Sequence, residues 1–116
     1  MDANSERDKL LFGIAAKMSE DVAYVLTYLY LRKEGGTVAT TMADTKLDKN
    51  KTRLALLLLE TTLLIEKRRE DRCWIYSVTE DGKAALRFML DDTEYPGRKI
   101  KLLAMLHKPV EGFEIV

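Results

Sequence analysis

Apolar residues recur at intervals of three and four along most of this chain, and the interval shortens to two only once. Leu10, Leu11, Ile14, Ala15 and Met18 share one helical face behind Ser5, a capping residue type, which predicts a helix over residues 5–18. Ser19 offers a second cap, with Glu20 and Asp21 placed to suit the positive end of a helix dipole. The helix it starts runs through Val22, Val25, Leu26, Leu29 and Tyr30. Arg32 and Lys33, followed by Gly35-Gly36, read as its stop. Thr37 and Val38 are expected to form a short extended link, and Thr40 to cap a short helix over residues 41–45.

After a polar turn, Lys46-Leu47-Asp48, Asp48 caps a longer helix over residues 49–62. Thr52, Ala55, Leu56 and Leu59 form its core stripe. Leu54, Leu57 and Leu58 lie off that stripe, so the rear of this helix is expected to be covered by another chain or by the tail. The interval of two then appears in Trp74, Tyr76 and Val78, which alternate with Cys73, Ile75 and Ser77. Two strands over residues 64–69 and 72–78 around a Glu70-Asp71 turn account for it. Thr79 caps a further helix through Ala84, Ala85, Phe88 and Met89, broken near Asp91, Asp92, Tyr95, Pro96 and Gly97. A last amphipathic segment, residues 99–107, carries Ile100, Leu103 and Leu106, and a half-apolar tail follows it.

This order of parts predicts a mostly α chain with a small β-hairpin, of the α+β class. It fits a winged helix-turn-helix with extra N- and C-terminal helices. Such a fold offers one helix start and one hairpin to neighbouring grooves of duplex DNA. The 116 residues suit one domain spanning the chain, with its core over residues 19–92 and a tail over 108–116. Helices 5–18 and 99–107 are the expected dimerisation elements, since each carries an apolar face that a small domain struggles to cover alone.

Composition sharpens this picture in one respect. The formal net charge is zero, so no global field draws the chain to nucleic acid or to anionic lipid. Position matters more: between Lys46 and Arg72 there are 8 Lys or Arg against 5 Asp or Glu, whereas the rest of the chain is net acidic. Electrostatic attraction to DNA is therefore expected to be modest and salt-sensitive.

The residues of this stretch resemble the winged-helix regulators of the MarR, PadR and ArsR type. The likeness rests on Leu47, Asp48, the polar run 49–53, Leu56, Leu59-Glu60 and Leu64-Ile65, and on the return strand Tyr76-Ser77-Val78 leading into Thr79-Glu80-Asp81-Gly82-Lys83. Where such families carry glycine before the Leu-Ile pair, this chain has Leu63, which resists the left-handed conformation glycine would allow. The resemblance implies base-facing positions at Lys49, Asn50, Lys51 and Arg53. Their chemistry agrees: Arg and Lys donate to guanine, and Asn bonds an adenine edge in both directions. Lys46 joins this group from the turn. Thr40 and Thr41, taken as a helix start, would hold a phosphate, and Lys67, Arg68, Arg69 and Arg72 would bring the hairpin to the DNA backbone or minor groove.

Plainer readings stand beside these. The helix start can be an ordinary solvated turn, and the hairpin charges can pair with Glu70 and Asp71 or guard a strand edge. Trp74 reads as a core or interface anchor rather than a base-stacking residue. Cys73, the single cysteine, excludes an internal disulfide and a thiolate zinc site, and it reads as structural. His107 suits a helix end, and Asp91, Asp92 and Glu94 suit an exposed acidic loop. No phosphate loop, nucleophile triad or metal-ligand spacing is present, so neither catalysis nor a cofactor is expected.

No secretory signal is recognisable, and the longest apolar stretch, residues 22–31, is about half a membrane span, so a cytoplasmic location is expected. The sequence thus favours a homodimeric, sequence-specific binder of double-stranded DNA, a transcriptional regulator or a component of plasmid or viral partition or replication. The alternative is a winged-helix adaptor that binds protein, favoured by Leu54, Leu57, Leu58 and the neutral charge. Some relatives hold a small-molecule effector between dimer helices, but no residue here is singled out for one.

Overall fold

A computed structural model of the chain describes residues 3–91. Its elements are α1 (Ala3–Lys17), α2 (Glu20–Leu31), α3 (Val38–Thr45), α4 (Lys49–Thr61), β1 (Ile65–Glu70), β2 (Cys73–Val78) and α5 (Glu80–Asp91). Among the described residues, five helices and one antiparallel hairpin make an α+β winged-helix arrangement. The expected segment 99–107 and the tail lie outside the described residues.

Helix α1 is already under way at Ala3, a strong helix former, so Ser5 lies inside the helix and does not cap it. Leu11, Ala15 and Met18 are buried as their spacing requires, but Leu10 is 65% exposed. Arg7 is ion-paired with Asp81 and Phe12 meets Phe88 edge to face at 5.9 Å, so α1 and α5 run alongside each other in the same direction.

The α2 helix supplies the centre of the core. Ser19 caps it, accepting from the Val22 amide, and Val25, Leu26 and Leu29 are almost wholly buried. Tyr28 ties α2 to α3: its hydroxyl donates to Asp44 Oδ2 at 2.6 Å, while Arg32 reaches the same carboxylate at 3.2 Å. Burial, and then the bond to Asp44, push the Tyr28 phenol above its usual range.

The start of α3 departs from expectation. Its cap is Thr37, whose extended backbone lets the hydroxyl accept the Thr40 amide, while the Thr40 hydroxyl accepts the Thr37 amide in return. Val38 is therefore the first helical residue rather than part of an extended link. Helix α3 ends on Lys46, which adopts a left-handed φ of 63°. Asp48 caps α4 as expected, accepting from the Lys51 amide at 2.8 Å, and Thr52, Ala55, Leu56 and Leu59 are buried.

The exit from α4 keeps the geometry that glycine usually provides. Leu63 has a φ of 63°. Its amide bonds the Glu60 carbonyl at 3.0 Å, and the Leu64 amide bonds the Leu59 carbonyl at 2.9 Å. This is a Schellman motif with leucine at the left-handed position, sealed by the buried Leu59 and Leu64.

In the hairpin, Ile65 pairs with Val78 and Glu70 with Cys73, which leaves Asp71 and Arg72 as the two turn residues. The expected Glu70-Asp71 turn is thus one residue out of place. Positive φ at both Asp71 and Arg72 (49° and 68°) matches the twist that a two-residue hairpin needs. A further link, not foreseen in the sequence, joins Gly36 to Tyr76 through two backbone bonds of 2.8 and 2.9 Å. There Gly35 has a φ of 86°, and any side chain on it would collide with the Tyr76 carbonyl. The hairpin is thereby anchored to the α2–α3 connection as well as to α4.

Candidate nucleic-acid interface

Helix α4 separates its chemistry by face. Against the buried stripe of Thr52, Ala55, Leu56 and Leu59, the residues Asn50, Leu54, Leu57 and Thr61 lie on an outward line, and all four are exposed. Lys49, Lys51 and Arg53 flank the front of that line and are also exposed. Among the described residues, Lys46, Lys49, Lys51 and Arg53 form no ion pair with any acid. An unpaired cation is fully available to a phosphate or to a guanine edge.

The hairpin cations differ in this respect. Lys67 Nζ lies 3.2 Å from Glu60 of α4 and 4.8 Å from the centre of the Trp74 ring. The Arg69 guanidinium lies 5.4 Å from that ring. Strand alternation puts Lys67, Arg69, Trp74 and Tyr76 on one face, since Arg69 pairs with Trp74 and Lys67 with Tyr76. Arg68 points from the other face, bonding the Glu34 carbonyl at 3.0 Å and Glu70 at 3.2 Å. Arg72, in the turn, is exposed and has no acidic partner among the described residues.

Two expected phosphate ligands do not occupy the place assigned to them. Thr41 is completely buried beneath α3, so its side chain faces the core rather than solvent. Thr40 spends its hydroxyl in the α3 capping box. Both follow from the helix starting three residues earlier than its threonine spacing suggested.

Three contributors were hardly visible in the residue pattern. Trp74 is 43% exposed and serves as a platform for two cations rather than as a core anchor. Glu60 links the end of α4 to the base of the hairpin. Gly36 holds the return strand. Cross-strand pairing could have indicated Trp74 beside Arg69, but only with the turn placed correctly.

Behind α4, Leu58 faces α1 across an apolar groove of about 560 Å³, lined also by Leu10, Ile14, Met18 and Val22. Leu54 and Leu57 are not part of it. Among the described residues, no group of His, Cys, Asp and Glu could hold a metal ion, and no helix is long and apolar enough to cross a membrane.

No protein-family model matches the chain, and no curated protein matches it in sequence. Among solved structures it is similar to the crystal structure of MepR, a transcription regulator of the Staphylococcus aureus multidrug efflux pump MepA. That likeness has a TM-score of 0.58 and 15% identity, and covers 90% of this chain and 79% of that one. At such identity the match speaks for architecture alone: this chain has the winged-helix fold seen in that regulator.

Proposed function

We propose that the protein is a homodimeric, sequence-specific binder of double-stranded DNA that acts as a regulator of transcription. The observation that carries this reading is the set of exposed cations, Lys46, Lys49, Lys51 and Arg53, around the capped start of α4, none of them ion-paired among the described residues. In a winged helix that helix start is the part which enters the major groove. Lys49, Asn50, Lys51 and Arg53 would then address base edges and flanking phosphates. Lys67, Arg69 and Arg72 would bring the hairpin to the backbone, with Arg68 contributing once released from Glu70. Neither Thr40 nor Thr41 would take part, because the Thr40 amide and hydroxyl are both held in the α3 capping box and Thr41 is buried.

Dimerisation would use α1 together with residues 99–107 against their copies. The exposure of Leu10 and Phe12 on α1 supports this. One domain spanning residues 1–116, acting in the cytoplasm, is the accompanying reading. A mobility-shift series on DNA enriched from random duplexes tests the assignment. Lys51→Ala and Arg53→Ala should each weaken specific binding by about 1–3 kcal/mol, and affinity should fall steeply with salt. Binding untouched by either substitution would remove α4 from the interface.

A second reading is a protein-binding adaptor, favoured by the exposed leucines of α4 and the neutral total charge. Duplex DNA at low salt separates the two. A regulator binds random sequence measurably there, and an adaptor does not.

A further inference from the structure

We infer that Leu54 and Leu57 are specificity-determining residues that read the 5-methyl groups of thymine in the major groove. The inference rests on the DNA-binding reading above. Both side chains lie on the outward line of α4 that begins with Asn50, at one and two further helical turns, and they are 57% and 58% exposed. Neither belongs to the groove that Leu58 forms with α1, and both side chains are exposed among the described residues.

Charge complementarity names the occupant. The row starts between the cations Lys49, Lys51 and Arg53, unpaired among the described residues, a setting suited to a polyanion on either side of the helix. A helix laid into the major groove meets base edges along its outward line. There leucine can neither donate nor accept a hydrogen bond. Opposite a cytosine amino group or a guanine oxygen it would strip water and return nothing, a loss for the complex. Thymine alone presents an apolar group in that groove, its C5 methyl. The α4 helix therefore combines a polar reading head, Asn50 with its flanking cations, and an apolar segment selective for A·T pairs. Burying one methyl against leucine resembles burying one methylene, which corresponds to roughly fourfold in affinity per methyl contacted.

The test uses the full chain and duplexes enriched from a random pool, resynthesised with thymine or with deoxyuridine, which differ only by that methyl. The thymine duplex should bind tighter by roughly fourfold for each contacted methyl. The Leu54→Gln, Leu57→Gln double variant should retain low-salt DNA binding and lose the distinction between the two duplexes. Both positions are exposed, so the variant is expected to fold, and circular dichroism checks that it does. Equal affinity of the natural chain for both duplexes overturns the methyl-reading role and leaves DNA binding standing. Discrimination that persists in the double variant overturns it as well. Failure to enrich or bind any duplex overturns the DNA reading itself, and this inference with it; capture of a protein through these leucines would then become the better account.

Discussion

The Thr79 hydroxyl donates to the Leu63 carbonyl oxygen at 2.7 Å and accepts the Gly82 amide at 3.1 Å. One side chain thus caps α5 and fastens it to the exit of α4. The Thr79 amide adds a bond to the Leu64 carbonyl at 3.0 Å. The approach is so close that a side chain at Gly82 would collide with that same carbonyl. The candidate DNA-reading helix, the hairpin and α5 therefore meet at one backbone junction, and the left-handed turn at Leu63 is its pivot.

Leucine at that pivot is strained, and its side chain is 69% exposed. Leu63→Gly should relieve a left-handed penalty of about 1–2 kcal/mol, offset in part by the greater flexibility of glycine when unfolded. A net gain of about 0.5–1 kcal/mol is expected in urea unfolding. A loss of stability would mean that the leucine side chain makes contacts beyond those in the described residues.

Arg72 is the second left-handed residue of the hairpin turn. Arg72→Gly produces Asp-Gly, a favoured pair for such turns, and should stabilise the fold by several tenths of a kcal/mol, about the relief expected on replacing a strained left-handed residue. If Arg72 meets the DNA backbone, the same change should weaken DNA binding and flatten its salt dependence by about one unit of slope. Thermal unfolding and filter binding on one variant would show the opposite signs.

Thr52 is completely buried, and its hydroxyl has no hydrogen-bond partner among the described residues. Valine has nearly the same shape without the polar group. Thr52→Val should raise stability by about 1 kcal/mol, since an unsatisfied buried hydroxyl costs about 1–3 kcal/mol. Denaturant midpoints at unchanged m-value would check it.

The raised pKa of Tyr28, caused first by burial and then by its bond to Asp44, fixes the sign of a pH effect. The unfolded chain ionises its tyrosine near 10.0, earlier than the folded one. The stability due to the neutral phenol is therefore complete below that pH and is lost as pH rises through the higher folded value. Tyr28→Phe should be less stable at neutral pH by about 1 kcal/mol, the worth of a hydrogen bond. That gap should narrow above pH 10, as followed by unfolding at a series of alkaline pH values. A constant gap would show that the phenol titrates alike in both states.

Local signals carried most of the architecture. Asp48, Ser19 and Thr79 stand where their helices begin, because capping depends on one side chain and the amides a few residues on. The buried stripe Thr52, Ala55, Leu56 and Leu59 was equally legible, because helical spacing decides which residues share a face. What failed was register between neighbours of similar quality: three threonines compete to start α3, and two adjacent pairs compete for the hairpin turn. Thr37 prevails through its reciprocal capping box with Thr40, next to Gly36, which Tyr76 holds from far away in the chain.

The candidate interface divides along the same boundary. Which residues are cationic, and that they cluster around α4 and the hairpin, was fixed by sequence alone. Which of them are available was decided by the tertiary structure: Lys67 and Arg68 meet acids, Arg69 lies beside Trp74, and Lys46, Lys49, Lys51 and Arg53 meet no acid among the described residues. Covalent order sets charge and periodicity, but pairing and exposure depend on distances that only the packed chain establishes.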